Sequence, residues 1–230
     1  MYEKAIALDP SYERAHAYLA WTHLNDWRLG WSESREQSLG RAFEVAQKAI
    51  ALDDTGTYAR AVLGEVYLWT RQSERAIAEI ETSLALNPND ADNRALLGEV
   101  LTFAGRAEEA IGYVEEAMRL NPRFPFIYEW RLGHAYFVVR RHEEAIAALG
   151  SLRDRNPGFL AAHLYLAANY AELGRGEEAR AALAVAVKLN PLLSDDILRE
   201  RIPYSDPGDM ERLLAALHQA GLPEAPEGTE

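Results

Sequence analysis

Cysteine is absent from the 230-residue chain, so neither a disulfide framework nor a thiolate metal site can form. No uninterrupted apolar run approaches the ~18 residues that a transmembrane helix needs, and residues 1–10 lack the basic start and apolar stretch of a signal peptide. Acidic residues outnumber basic ones, and the resulting net charge of −12 disfavours wide contact with nucleic-acid phosphates. We therefore predict a cytoplasmic protein without a membrane or nucleic-acid partner.

Motifs that carry chemistry are also missing from the sequence. The histidines form no HExxH pair, and the glycines and serines form neither a phosphate-binding loop nor a GxSxG motif. The segment 87–93 (NPNDADN) is rich in carboxylates but lacks the central glycine and distal glutamate of a calcium loop. We predict no catalytic residue, no metal site and no cofactor, and hence no enzyme.

Residues 91–122 read as two short amphipathic helices joined by a turn. Asp92 is placed to cap the first helix, and Gly105 suits a left-handed end of that helix. The second helix stops at Asn121-Pro122, because the residue before a proline is pushed out of the α region. Neither helix can bury its apolar stripe alone, whereas stacked neighbours can, as in a solenoid. The apolar positions at helical spacing are Leu96, Leu97, Val100, Leu101, Phe103, Ala110, Ile111, Val114, Ala117, Met118 and Leu120.

This unit recurs along the chain, and the repeats can be aligned on small residues and on their terminating prolines. Prolines follow one another at spacings of 34, 35 and 34 residues. The small residues of the first helices are Ala20, Gly64, Gly98, Gly133 and Ala167. Those of the second helices are Ala42, Ala76, Ala110, Ala145 and Ala179, and the terminators are Asp54, Pro88, Pro122, Pro157 and Pro191.

On these columns the chain resembles the tetratricopeptide repeat family over residues 13–193. The resemblance implies an all-α fold, a right-handed α-solenoid of helix-turn-helix repeats with a C-terminal capping helix. Residues 1–12 match the end of each second helix, and we interpret them as the second helix of a truncated preceding repeat, or alternatively as a simple cap. Five repeats follow in 13–193, then capping helices in 194–222 and a disordered, acidic tail in 223–230.

The first repeat carries a ten-residue insertion within 25–41, because Ala20 and Ala42 are 22 residues apart where the other repeats have 12. Insertions in repeat proteins map to loops and are often functional. Trp27 and Trp31 in this segment either contact a partner or cover the exposed end of the stack.

In tetratricopeptide arrays the first helices line a concave groove, which implies a set of ligand-facing residues here. Aromatic anchors and a carboxylate-rich middle predict a protein or peptide ligand with apolar and basic residues. The Lys, Arg and Asn set with which chaperone-type members clamp a terminal carboxylate is mostly lacking. In the alternative, the aromatics pack within the stack and the groove has no ligand. The predicted groove residues are Trp21, Tyr58, Glu65, Asp92, Glu99, Thr102, Trp130, His134 and Phe137.

Three stretches show a narrower resemblance, namely LAWTHLNDWRLGW, ALNPNDAD and ERLLAALHQAGLPE. They are similar to the repeat tails of bacterial class III adenylate and guanylate cyclases and related signalling regulators. We consider three hypotheses for the function. In the first, the chain is an interaction module and forms the C-terminal part of a larger bacterial signalling protein. In the second it is a structural scaffold that forms homo-oligomers, and in the third it is the regulatory tail of a cyclase whose catalytic domain is not in this sequence.

Overall fold

A computed structural model describes residues 1–32 and 34–223 of the chain. These residues form thirteen α-helices and no strand, which confirms the prediction of an all-α repeat fold. The predicted tail at 223–230 lies outside the described residues except for Pro223. The helices are α1 Tyr2–Leu8, α2 Glu13–Leu29, α3 Arg35–Leu52, α4 Thr57–Trp69, α5 Ser73–Leu86, α6 Ala91–Phe103, α7 Ala107–Leu120, α8 Ile127–Val138, α9 His142–Arg155, α10 Leu160–Glu172, α11 Gly176–Leu189, α12 Asp195–Arg201 and α13 Pro207–Gln219.

Helices α2 to α11 form five consecutive antiparallel hairpins, and each hairpin packs on the next. The second helices of the last four hairpins end at the residue before an Asn-Pro pair, as the proline pattern predicts. One detail of capping differs from the prediction. Asp90, and not Asp92, caps α6 by accepting a hydrogen bond from the Asn93 N–H at 3.0 Å. Asp92 lies in the first turn and is free to make other contacts.

The small-residue column lies where the two helices of a hairpin approach most closely. A Cβ added at Gly64 would lie 2.7 Å from Ile80, one at Gly98 would lie 2.5 Å from Val114, and one at Gly133 would lie 2.6 Å from Leu149. Such distances are below van der Waals contact, so glycine is required for this helix spacing. The main core runs continuously from α2 to the C-terminal helices, and a smaller separate cluster contains Ala17, Ala49 and Ala59.

The insertion in the first repeat lengthens both helices instead of forming a loop. Helices α2 and α3 have 17 and 18 residues, whereas α4 and α5 have 13 and 14. The indole ring of Trp27 packs against Trp69 of the next repeat, with ring centroids 5.4 Å apart. Trp31 is 74% exposed. One tryptophan therefore joins the stack, and the other lies in solvent.

Residues 194–222, which we call the strap, contain the two C-terminal helices that the sequence predicts as a cap. Helix α13 packs against α10, the first helix of the last repeat, and not as a further layer on α11. The strap then crosses the concave side, where the Ser205 N–H donates to the Phe103 carbonyl of the third repeat at 2.8 Å and the Arg71 guanidinium of the second repeat donates to the Arg199 carbonyl. Helix α11 has exposed apolar residues, among them Val185 and Leu189.

Candidate protein-binding groove

The first helices of the five hairpins line the concave side, and the strap divides this side into two parts. We call the part beneath the strap the covered half; its floor contains Trp69, Phe103, Trp130, His134, Leu164 and Tyr165. The part toward the N-terminus is the open half; it contains Tyr18, Trp21, Tyr58, Glu65 and Asp92.

The structure separates the predicted groove residues into two groups. Trp21 and Tyr58 are 43% and 37% exposed, Asp92 is exposed, and Glu65 is partly exposed. The other five are buried, with exposures of 0–7%, so in this conformation they cannot contact a ligand as predicted. They are Glu99, Thr102, Trp130, His134 and Phe137.

Packing within the covered half accounts for the burial of the aromatic groove residues. The Trp130 and His134 rings stack at 5.0 Å with an interplanar angle of 6°. The Phe137 ring lies beneath the Arg212 guanidinium of the strap, 4.8 Å from the ring centroid. The Thr102 hydroxyl donates to the Gly98 carbonyl of its own helix at 2.8 Å. Aromatic residues on a concave surface can thus serve an intramolecular contact as well as a ligand.

A buried ion pair links α6 and α8 at the centre of the groove. The Arg131 guanidinium donates to a Glu99 carboxylate oxygen at 2.8 Å, and both side chains are about nine-tenths buried. Burial raises the pKa of the Glu99 carboxyl, but the charges of Arg131 and Arg28 outweigh burial, and the net pKa is lowered. Glu99 is therefore a structural carboxylate and not the ligand-facing group that its column predicts.

A second buried polar group joins the strap to the groove. Tyr204 of the strap makes a hydrogen bond to His134 Nε2 at 2.7 Å and another to the Tyr165 hydroxyl at 2.9 Å. Burial lowers the pKa of His134 to about 3, and the nearby Glu99 charge opposes this shift only in part. The imidazole is therefore neutral at physiological pH, where it can share a hydrogen bond with a phenol in an apolar setting.

Protein stability should consequently fall in mild acid. The pKa of His134 is about 3 in the folded state and about 6.5 in the unfolded state. Between these values the unfolded state binds more protons, so stability decreases as pH decreases, by up to about 2 kcal/mol between pH 7 and 5. Urea titrations at both pH values measure this change. His134→Gln should remove that part of the pH dependence, and an unchanged dependence in the variant would contradict the assignment to His134.

Exposed aromatic rings form the surface of the open half. The Tyr18 and Tyr58 rings pack with centroids 4.8 Å apart, and Tyr2 stacks on Tyr18 at 5.5 Å. Trp21 lies one helical turn beyond Tyr18 on α2, and both are more than 40% exposed. Sequence reasoning missed Tyr18, although its spacing from Trp21 places the two on one helix face.

Charged groups surround a cavity of about 290 Å³ in the open half. Arg28 pairs with Glu65 across α2 and α4, which neutralises that carboxylate. Asp92 is exposed and accepts a hydrogen bond from the Tyr128 hydroxyl at 2.6 Å, and Asp90 lies beside it at the helix start. The Asp90 and Asp92 carboxylates have no cationic partner among the described residues. They give this end of the cavity a negative potential.

Residues 1–32 and 34–223 contain neither a metal-ligand cluster nor a membrane-spanning helix. No group of three or more His, Asp or Glu side chains in them is arranged to hold a metal ion. None of their helices combines the length and apolar character that crossing a membrane requires.

Comparison with protein-family models gives two matches along the chain. Residues 61–123 and residues 140–194 each match a model described as tetratricopeptide repeat. The two matches together cover about half of the chain and fall on the second to fifth hairpins. No curated protein matches the sequence.

Solved structures of the same architecture resemble the chain at low sequence identity. PilW, described as a widely conserved type IV pilus biogenesis factor, is 19% identical with a TM-score of 0.68, over 90% of this chain and 88% of PilW. TTC0263 of Thermus thermophilus is 21% identical with a TM-score of 0.61, over 85% and 99%. YrrB, described as having an unusual peptide-binding site, is 21% identical with a TM-score of 0.53, over 84% and 93%. Identities this low support the fold alone.

Proposed function

The chain belongs to the tetratricopeptide repeat family, and from this premise we propose that it is a protein-interaction module whose open half-groove binds a segment of a partner protein. The segment carries apolar residues together with lysine or arginine. The observation that carries the proposal is the exposed aromatic cluster of Tyr18, Trp21 and Tyr58 beside the unpaired Asp92 carboxylate.

Exposed aromatic side chains in a concavity are typical of binding hot spots, because they bury a large area at little cost in side-chain entropy. Trp21 and Tyr58 are more than a third exposed although they lie on a concave surface with neighbours on both sides. A ligand that covers them would remove this apolar area from water. The YrrB structure, whose description names a peptide-binding site, supports the same use of the fold.

Charge complementarity specifies the rest of the ligand. Asp92 and Asp90 lie at the edge of the cavity toward α6, and the chain as a whole carries a net charge of −12. A lysine or arginine side chain placed there gains a carboxylate partner without displacing an existing ion pair. The proposed ligand therefore places an apolar side chain on the Tyr18–Tyr58 cluster and a basic one next to Asp92.

Selection of peptides on the folded chain tests this proposal. A displayed library of random peptides should yield binders rich in lysine or arginine and in aromatic or large aliphatic residues. Tyr58→Ser combined with Asp92→Asn should weaken the best peptide at least about tenfold, as loss of a hot spot does. Asn at 92 keeps an oxygen acceptor for the Tyr128 hydroxyl while it removes the charge. Fluorescence anisotropy measures the affinity.

A matched control lies on the second helices, away from the groove. Glu81→Lys and Leu86→Ala change one exposed charge and one exposed apolar residue of α5. This pair should leave peptide affinity unchanged. Equal affinity of the groove variant and the wild type, with unchanged circular dichroism, would remove the open half-groove as the binding site.

Self-association is a second candidate function, and one observation favours it. Helix α11 exposes Val185, Val187 and Leu189, which are 37–42% exposed. Light scattering over a range of concentrations separates a scaffold that assembles through this surface from a monomeric binding module. Two hypotheses rest on the sequence alone, namely a cytoplasmic location and membership of a larger signalling protein such as a cyclase. Reading the gene upstream of the codon for Met1 tests the second.

A further inference from the structure

Residues 202–205 of the strap, between α12 and α13, lie in the covered half in the manner of a bound peptide. Ile202 is extended, with φ −97° and ψ 117°, and Pro203 and Tyr204 after it are buried. The main chain is held at two points by the body of the repeats. Ser205 N–H donates to the Phe103 carbonyl at 2.8 Å, and the Arg71 guanidinium donates to the Arg199 carbonyl at 2.5 Å. Such main-chain contacts give affinity without regard to sequence.

Tyr204 is the specific anchor of this segment. Its ring lies 5.3 Å from Phe103 and 5.5 Å from His134, and it is only 7% exposed. Its hydroxyl bonds to His134 and to Tyr165, so the pocket satisfies both the apolar ring and the polar tip. Three different first helices, α6, α8 and α10, supply these contacts. A pocket of this kind selects tyrosine, because a buried hydroxyl partner left unpaired is costly.

The strap fills the covered half incompletely. An apolar cavity of about 170 Å³ lies beneath α12, between Leu164 and Trp130 on the floor and Ile197 and Ile202 of the strap. The cavity is partly open to solvent, so the strap leaves part of the apolar floor uncovered. The indole N–H of Trp69, which also lines the cavity, is buried without an acceptor among the described residues. A segment that places a larger apolar side chain in the cavity and a carbonyl oxygen next to the Trp69 indole N–H would fit better than the strap.

We propose that the covered half is a second protein-binding site, selective for an extended segment with a large apolar residue two positions before a tyrosine. The strap, through Ile202-Pro203-Tyr204, occupies this site as an intramolecular competitor. A partner protein that presents the same pattern binds by displacing it. The proposal concerns different residues from the open half-groove and does not rest on it. A tethered competitor acts at an effective concentration of about millimolar, so the partner must fit better or meet a loosened strap.

The test uses the full-length chain and a labelled peptide with the sequence of residues 197–208, ILRERIPYSDPG. Tyr204→Ala in the full chain should release the strap and let the peptide bind at least about tenfold more tightly than to the wild type, in which the tethered strap competes. A peptide that itself carries Tyr204→Ala should bind to neither protein. Fluorescence anisotropy reports both affinities.

A milder variant keeps the test decisive if Tyr204→Ala does not fold. Ser205→Pro removes the N–H that donates to Phe103 and the hydroxyl that bonds to Ser73 but leaves the residues of the Tyr204 pocket unchanged, and it should also increase peptide binding. If neither folded variant binds the peptide more tightly than the wild type, or both bind the tyrosine-free peptide equally well, the proposal is wrong. Concentration-dependent dimers of the loosened variants without peptide capture would also overturn it, because the occupant would then be a second copy of the chain.

Discussion

Replacing Arg131 with methionine should lower the free energy of unfolding by about 3–5 kcal/mol, because it leaves the Glu99 carboxylate buried without its partner. Glu99 is 6% exposed and accepts its short ion-pair contact from Arg131. Arg28 is already committed to Glu65 and cannot replace Arg131 without breaking that pair. Urea denaturation followed by circular dichroism measures the loss.

The double variant identifies the cause of this loss. Arg131→Met combined with Glu99→Leu removes both charges and should recover most of the lost stability, since buried ion pairs can be exchanged for apolar residues of similar size. Arg106→Met breaks an exposed ion pair with Glu109 and should have a far smaller effect. If the double variant were less stable than Arg131→Met alone, an unpaired Glu99 could not be the reason for the loss.

Gly98→Ala should destabilise the chain by about 1–3 kcal/mol although alanine is the better helix former. The added Cβ would lie 2.5 Å from a methyl carbon of Val114 and 3.0 Å from the Ala110 carbonyl oxygen. The carbonyl belongs to the helix backbone, so relief requires α6 and α7 to move apart. Thermal and chemical denaturation measure the change.

Gly112→Ala on α7 provides the matched control. Nothing lies within 4 Å of a Cβ built at this position, which is exposed in mid-helix. The same substitution should therefore stabilise the chain, by up to about 1 kcal/mol from helix propensity. Effects of the same sign at Gly98 and Gly112 would show that backbone propensity, and not helix spacing, governs the small-residue column.

The repeat pattern predicts the hairpins well, because each repeat depends mainly on contacts with its neighbours. Small residues at Gly64, Gly98 and Gly133 mark the close approach of helices, and the prolines mark the helix ends. These signals are local and recur in register, so the period alone aligns them. The all-α repeat fold follows from them without knowledge of any long-range contact.

The strap and the groove illustrate what such a pattern does not contain. Residues 194–222 have no counterpart in the other repeats, and their contacts are with residues far away in sequence, such as Phe103 and Arg71. The family resemblance predicts Trp130 and His134 on the concave side, but the sequence does not distinguish an aromatic side chain that binds a partner from one that packs against the chain itself. The lengths of α2 and α3 do not follow from the pattern for a related reason, because an insertion carries no register of its own.

The strap also changes the topology of folding. An array of repeats that touch only their neighbours can begin to fold at any repeat and can fray from either end. Here the hydrogen bonds Arg71–Arg199 and Ser73–Ser205 join positions 128 and 132 residues apart and tie the second hairpin to the last segment of the chain. Closing such a long loop carries an entropic cost that the contacts of the assembled stack offset, so we expect the strap to dock last. The array then unfolds more cooperatively than a sum of nearest-neighbour interfaces would.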